Sequence, residues 1–266
     1  MRNTVTFKTL QKLNFRKTAS KSSSVLHRIP EGTKLSVTGT SIRWADSVPF
    51  VKVSYKGKQG YVNGRYLRGL LLKTKDRESE RYPKLAVISS GKASRRILIP
   101  QQKQFVTFSV NHGCSLAAGT VALQLHGILK SPTEIYNYAK KHIGGYTGSK
   151  LTIFGTAKVL NRIAGKKIAT WKSFPSGANA RVRRDIKSAI MNGYIVLLEQ
   201  KNPIHTNAII GRDIKGRYII ATNGYIKRVT MNWLIQTALH GKDGRKNQKN
   251  WFKGSQYGAG YVIVKK

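Results

Sequence analysis

The first 68 residues contain short runs of strand-forming residues that alternate with turn signals. Two of these runs, 50–55 and 60–62, flank the turn-like tripeptide Lys56-Gly57-Lys58. Strands at such short spacing favour a small barrel over units in which helices connect parallel strands. We therefore predict an all-β barrel over residues 5–68.

From about residue 97 onward, helix signals come first and strand signals follow. Apolar residues recur at three- and four-residue spacing, and Ser131 with Glu134 has the pattern of a helix-capping box. These patterns predict helices over 114–125, 132–141, 152–163, 179–191 and 231–239, and strands over 194–198, 206–211, 217–221 and 260–264. Helices followed by antiparallel strands indicate an α+β domain over residues 97–266.

Residues 69–96 differ from both regions. They contain a run of mixed charges over 73–81, which is followed by Tyr82-Pro83. Such a run with a proline, placed between two patterned regions, is typical of a connection. We predict a charged linker over residues 69–96.

The chain is strongly basic, with 49 Lys and Arg residues against 10 Asp and Glu residues and a net charge of +39. Such a charge attracts polyanions, which include nucleic acid, anionic lipid and the anionic polymers of a bacterial wall. Nucleic acid stays an open alternative as a partner, although the sequence has no zinc spacing, Walker loop or RNP-like motif. The charge is also compatible with a role in solubility only.

Several classes of function are disfavoured by residue types and spacings. Glycosidases need paired carboxylates and zinc sites need clustered His, Cys and Asp, so we expect neither a metal nor a cofactor. No apolar run approaches the roughly 18 residues of a membrane span, and residues 1–8 do not resemble a signal peptide. These residues leave a cytosolic protein, release by another route and a mature exported form all open, and we expect a monomer.

Cys114 is the single cysteine of the chain, and it stands at the start of the predicted helix 114–125. At that position, unpaired backbone N–H groups and the positive end of the helix dipole favour the thiolate over the thiol. A single cysteine cannot form an internal disulfide. Nucleophilic catalysis is therefore one interpretation of Cys114, and an inert buried cysteine is the other.

A thiol nucleophile needs an imidazole and a group that orients the imidazole. Of the six histidines, His205 opens the predicted strand 206–211, and Asn223 follows the next predicted strand, 217–221. Antiparallel pairing of these two strands would bring Asn223 beside His205. A structural strand histidine and an Asn-Gly turn are the alternatives at these positions.

Three motifs in the first quarter of the chain are Leu13-Asn14-Phe15-Arg16, Ile29-Pro30-Glu31-Gly32 and Gly57-Lys58-Gln59-Gly60-Tyr61-Val62. In this order they resemble a bacterial SH3-like domain over residues 11–68. The resemblance implies a module that docks an attached enzyme on cell-wall peptidoglycan, and with it a protein that is secreted or associated with the cell wall.

Aromatic and basic residues lie close together in this region. Aromatic side chains give rigid contact area, and Lys and Arg attract anionic polymer. The candidates for wall binding are Trp44, Tyr55, Tyr61 and Tyr66, near Phe50. The alternative is that most of them are core or half-buried strand residues.

Motifs in the second region include Gly113-Cys114-Ser115-Leu116-Ala117-Ala118-Gly119 and His205-Thr206-Asn207-Ala208-Ile209-Ile210-Gly211-Arg212-Asp213. With the order Cys, His, Asn they resemble papain-like cysteine peptidases over roughly 97–266, in the branch that includes bacteriocin-leader-processing peptidases. The resemblance implies Cys114 as nucleophile, His205 as general base and acid, and Asn223 as the orienting residue.

One element of that family pattern differs. Relatives usually place a glutamine shortly before the cysteine to complete the oxyanion hole, whereas positions 106–108 here are Val, Thr and Phe. Gln104 is the first candidate for this role, and Ser109 and Asn111 are the others. The loss of one oxyanion donor costs on the order of 100- to 1000-fold in rate, so an inactive protein is a real alternative.

These patterns together predict a thiol-dependent amide-bond hydrolase that acts at the bacterial cell wall, preferably on peptide bonds of peptidoglycan. The first alternative is a secreted cysteine protease that acts on proteins or peptides. The second is a catalytically inactive protein that binds the wall or another polyanion.

Overall fold

The structure is a computed structural model that describes residues 5–75, 85–88, 95–98, 113–142, 153–174, 179–201, 204–222, 225–240 and 260–265. Its sheets are antiparallel, and they form an N-terminal β-rich region and a C-terminal region of mixed helices and strands. The predicted β-rich N-terminal region and the predicted α+β C-terminal region are both confirmed.

The N-terminal region is a sheet of short strands that encloses an apolar core. Its strands are β1 (Thr6–Lys8), β2 (Leu13–Arg16), β3 (Val25–Ile29), β4 (Lys34–Val37), β5 (Arg43–Ala45), β6 (Val48–Tyr55) and β7 (Lys58–Asn63). The strands pair in the order β1-β4-β6-β7-β2-β3, and β5 pairs with β6. The core side chains, among them Phe15, Leu35 and Val53, are fully buried.

The hairpin between β6 and β7 shows how the local sequence sets the register. Tyr55 pairs with Lys58, so the loop has the two residues Lys56 and Gly57. Their φ angles are 49° and 74°, as a type I′ turn requires at both positions. The predicted turn at this tripeptide is confirmed.

Residues that follow the barrel form strands where a charged linker was expected. Strands β8 (Leu71–Lys75), β9 (Leu85–Ile88) and β10 (Arg95–Leu98) make a sheet in the order β10-β9-β8. Short apolar runs such as Leu85-Ala86-Val87-Ile88 carry a strand preference that the neighbouring charges obscure. The domain boundaries proposed at residues 68 and 96 stay predictions.

The C-terminal region places helices on both faces of one sheet. Its helices are α1 (Gly113–Gln124), α2 (Pro132–His142), α3 (Ile153–Ile163), α4 (Asn179–Met191) and α5 (Met231–Ile235), and a π-helical turn Gln236–His240 continues α5. Its strands are β11 (Ala169–Ser173), β12 (Ile195–Lys201), β13 (Ile204–Arg212), β14 (Tyr218–Thr222), β15 (Tyr225–Val229) and β16 (Gly260–Val264). They pair in the order β11-β16-β12-β13-β14-β15.

The two faces of this sheet have separate cores, because successive strand residues point to opposite sides. Leu197 and Ala208 pack with α1, α2 and α3 on one face. Val196 and Ile209 pack with α4 and α5 on the other. We call these the α1 face and the α4 face.

The predicted capping box at the start of α2 is confirmed. The Ser131 N–H donates to Oε2 of Glu134 over 2.8 Å, and the Glu134 N–H donates to Oγ of Ser131 over 3.2 Å. This reciprocal pair satisfies N–H groups that the first turn of a helix leaves without partners.

The barrel and the C-terminal sheet meet at the far end of β13. The Arg212 N–H donates to the carbonyl oxygen of Gly69 over 2.9 Å, and the Arg212 guanidinium lies 5.8 Å from the ring centre of Phe7 and 5.3 Å from that of Tyr218. Ile214, in the turn after β13, packs against the barrel core. The two regions are therefore joined by main-chain, apolar and cation–π contacts.

Gly69 is required at this junction for two reasons. Its φ of +68° is in the left-handed region that favours glycine, and a β-carbon there would lie 2.9 Å from the carbonyl oxygen of Ile190. The backbones of the two regions therefore approach each other closely at a position without a side chain.

We expect Arg212→Ala to destabilise the protein by about 1–2 kcal/mol, because it removes a guanidinium from between two aromatic rings. Equilibrium unfolding in urea measures this loss. Arg184→Ala is the matched control, since the Arg184 side chain is 76% exposed and its nearest contact to Asp185 is 4.0 Å. Equal stability of the two variants would contradict the assigned role of Arg212.

Candidate functional site

Cys114 lies in the first turn of α1, where that helix packs against β13. Its side chain is buried, with 8% exposed. The backbone N–H and the hydroxyl group of Thr206, near the start of β13, both hydrogen bond to Sγ, as do the backbone N–H groups of Cys114 and Ser115. The helix start therefore brings the thiol onto the α1 face of the sheet.

Burial raises the pKa of the Cys114 thiol above its ordinary value, and the hydrogen bonds from Thr206 and the helix start offset only part of that effect. The N–H groups of the helix start lower the thiol pKa as expected, but burial sets the direction of the net shift. Desolvation of the charged form outweighs the donors that surround the sulfur.

His205 is next to Thr206 in the chain, but alternation along β13 assigns the two side chains to opposite faces. Thr206 contacts Cys114 on the α1 face, in line with Ala208 and Ile210, whereas His205 is in line with Ile209 on the α4 face. His205 is half-buried, and burial lowers the pKa of its imidazole. The geometry brings the backbones of Cys114 and His205 together, but it does not bring their side chains onto one face.

The two pKa shifts have the same consequence for the Cys114–His205 pair. A raised thiol pKa and a lowered imidazole pKa both favour the neutral forms over a thiolate–imidazolium pair. A reaction from this state would begin with an uncharged thiol that passes its proton to a base as it attacks.

The remaining residues of the predicted catalytic set are not among those that the structure describes. These are the orienting residue Asn223 and the oxyanion candidates Gln104, Ser109 and Asn111. Their roles, like those of Cys114 and His205, stay predictions.

Glu199 was not singled out from the sequence, yet the sheet register places it at this site. It pairs directly with Thr206 across β12 and β13, on the α1 face. Its Oε2 accepts a hydrogen bond from the Gly260 N–H over 3.3 Å, and burial raises its pKa from an ordinary 4.5 to about 7. An acidic residue within an apolar strand of so basic a chain was the signal that could have identified it.

The aromatic candidates for wall binding differ in how they are packed. Trp44 is 44% exposed, and the Arg43 guanidinium lies 5.7 Å from the ring centre of Tyr61. Tyr55 and Tyr66 instead pack against the barrel core. The assignment of these residues to wall binding stays a prediction.

Two features that would indicate other classes of function are absent from the described residues. No helix in the described ranges has the length and apolarity needed to cross a membrane. Within the same ranges, no group of three or more His, Cys, Asp or Glu side chains is arranged to hold a metal ion.

Comparison with known proteins identifies part of the chain. Residues 11–68 match the family model of the bacterial SH3 domain, so the N-terminal region contains such a domain. No curated protein matches the chain. A solved structure of NlpC2 from Trichomonas vaginalis is similar at 13% identity, over 99% of this chain and 72% of that chain, with a TM-score of 0.20.

We expect Thr206→Val to raise the pKa of Cys114 further, because it removes a hydroxyl donor that favours the thiolate. The alkylation rate by iodoacetamide near neutral pH should fall roughly fivefold, the equivalent of about 1 kcal/mol for one hydrogen bond. Mass spectrometry of the alkylated protein over a range of pH measures the shift. Thr170→Val makes the same change on β11, and a profile for Thr206→Val that matches this control would contradict the assigned contact.

We expect Glu199→Gln to change how stability depends on pH. The folded protein holds the Glu199 proton up to about pH 7 and the unfolded chain releases it near pH 4.5, so this residue lowers stability as pH rises between those values. Between pH 5 and pH 8 the variant should therefore gain on the order of 2 kcal/mol relative to the wild type. Denaturant unfolding at both values measures the difference.

Glu134→Gln is the control for that experiment, since the pKa of Glu134 is lowered to about 2 by its hydrogen bonds to Lys130 and Ser131. Its stability relative to the wild type should stay constant from pH 5 to pH 8. An equally constant difference for Glu199→Gln would show that the Glu199 carboxyl is solvated and ordinary.

Proposed function

We propose that the protein is a thiol-dependent amide-bond hydrolase that acts at the bacterial cell wall, with peptide bonds of peptidoglycan as the preferred substrate. Cys114 is the nucleophile, His205 the general base and acid, and Asn223 the group that orients the imidazole. No metal or cofactor takes part in this proposal.

The observation that supports it most is the placement of the Cys114 sulfur against Thr206. It puts a thiol at a helix start against the strand that also carries His205, the histidine that would have to serve as its base. The resemblance of residues 97–266 to papain-like peptidases points in the same direction.

The site of action is supported by the bacterial SH3 domain at residues 11–68 and by the charge. Wall polymers that carry phosphate or carboxylate groups attract a protein of net charge +39. A barrel attached through Arg212 to the strand that carries Thr206 would hold the thiol near the polymer that the barrel binds.

In the proposed reaction, the sulfur adds to the scissile carbonyl carbon while the thiol proton passes to His205. The C–N bond then breaks, and the departing amine takes that proton. Water attacks the resulting thioester, releases a carboxylic acid and restores the thiol. This route requires the first residues of β13 to turn so that the His205 ring reaches the α1 face, where Cys114 lies.

A second function is favoured by the state of the thiol. Cys114 is buried and its pKa is raised, which is the pattern of a structural cysteine. With that pattern the protein would bind the wall through its basic surface and its SH3 domain and would break no bond.

Incubation with purified bacterial walls separates these two functions. We expect the wild type to release fragments that carry new amino termini, identified by mass spectrometry, and Cys114→Ala to release none. His205→Ala should lower the rate of release by on the order of 100- to 10,000-fold, the usual contribution of a general base.

Thr170→Val, remote from Cys114, should release fragments at the wild-type rate and so controls for handling. Co-sedimentation of every variant with the walls shows whether binding is retained. Sedimentation without new amino termini in the wild type would overturn the hydrolase and favour the binding protein.

A further inference from the structure

Glu199 differs from the other acidic residues that the structure describes. Ion pairs with Lys or Arg are formed by Glu31, Glu134, Asp185 and Asp213. Asp46 is exposed and accepts hydrogen bonds from Ser20 and Lys21. Glu199 is half-buried, and among the described residues its one hydrogen-bond donor is the Gly260 N–H. A chain with 49 basic residues thus leaves this carboxyl without a described cation.

Glu199 and the Cys114 thiol both lie next to Thr206. Directly opposed residues of an antiparallel pair have β-carbons about 4.5–5.5 Å apart, and Glu199 is opposed to Thr206. Thr206 in turn hydrogen bonds to Sγ of Cys114. The carboxyl and the thiol therefore lie on the same face of the sheet, on either side of one threonine.

Gly260 packs closely against β11, where no side chain fits. A β-carbon at this position would lie 2.8 Å from Nε1 of Trp171 and would also collide with the carbonyl oxygen of Lys172. Glycine is therefore required at the position whose N–H donates to Glu199.

An ionised Glu199 has no counter-charge among the described residues. Removal from water disfavours its ionised form, and one backbone N–H compensates for little of that loss. The raised pKa of Glu199, about 7, is the consequence of this imbalance. A cation that enters from solution would supply the missing partner and stabilise the carboxylate.

We propose that Glu199 binds a primary ammonium group of the substrate, on the same sheet face as Cys114. A divalent metal ion is a poorer occupant, because hard cations take several oxygen ligands and the described residues offer no such group here. An ammonium group needs only one carboxylate and a few further acceptors.

This inference rests on the proposed function for its meaning, since it names the substrate class as wall peptides that carry a free amine near the scissile bond. The net charge of +39 repels free cations from the protein. A single unpaired carboxylate would therefore select an amine that is already attached to the bound anionic wall.

The test measures binding without catalysis, in the Cys114→Ala background. The probes are the synthetic tripeptide L-Ala-γ-D-Glu-L-Lys amide with both amines free and the same peptide with both amines acetylated. Isothermal titration calorimetry gives the two dissociation constants. We expect the free amines to bind at least about tenfold more tightly, the effect of one hydrogen-bonded charge pair.

Glu199→Gln in the same background should bring the ratio of the two constants close to one. Glu134→Gln makes the same chemical change at an exposed site on α2 and should leave the ratio unchanged. Thermal unfolding of each variant establishes that the comparison is made between folded proteins.

A preference for free amines that survives in Glu199→Gln, or the absence of any preference in the Cys114→Ala protein, would overturn the assignment of Glu199. Neither result depends on whether bonds are cleaved. Wall cleavage without a preference for free amines would support the hydrolase and exclude the ammonium site at Glu199. A preference for free amines without wall cleavage would support the ammonium site and exclude the hydrolase.

Discussion

Strand β13 is the element on which both halves of the molecule depend. At its start, Thr206 hydrogen bonds to the sulfur of Cys114, which lies in the first turn of α1. At its end, Arg212 contacts Gly69 and Phe7 of the N-terminal region. Because one rigid strand spans both contacts, the docking of the SH3 domain and the position of the thiol are set by the same pairing with β12 and β14. The barrel is thus attached to the strand that carries Thr206 of the candidate site.

Two of the few acidic residues that the structure describes stabilise the fold through ion pairs. Asp185 accepts hydrogen bonds from Lys172 and from the Tyr261 hydroxyl, and so attaches α4 to β11 and β16. Asp213 pairs with Arg217 across the turn between β13 and β14. These carboxylates are compensated by cations and stabilise the fold. No cation among the residues that the structure describes compensates Glu199, which lies on the face of the sheet that α1 covers, and we therefore explain it by a ligand.

The sequence predicted elements whose signals are local. The helix α4, the strand β16, the turn after β6 and the capping box of α2 all follow from periodicity, turn residues or caps within a few positions. The strands β8 to β10, β11 and β15 were not predicted, because their apolar residues are few or mixed with charges and only pairing stabilises them. In the candidate site, Cys114 and His205 could be found from spacing. Spacing could not show that Thr206 and Glu199 lie on the α1 face or that His205 lies on the other face. Both depend on the register of the sheet and on how α1 covers β13.

The assignment of faces on β13 is tested most directly by disulfide trapping, since Cys114 is the only cysteine in the chain. A disulfide requires β-carbons about 3.5–4.5 Å apart with converging side chains. Thr206→Cys, oxidised at low protein concentration, should form an intramolecular bridge to Cys114 that non-reducing mass spectrometry detects. His205→Cys, one residue away, should stay reduced. A bridge in His205→Cys and none in Thr206→Cys would contradict this placement of the thiol, and would put the histidine on the α1 face instead.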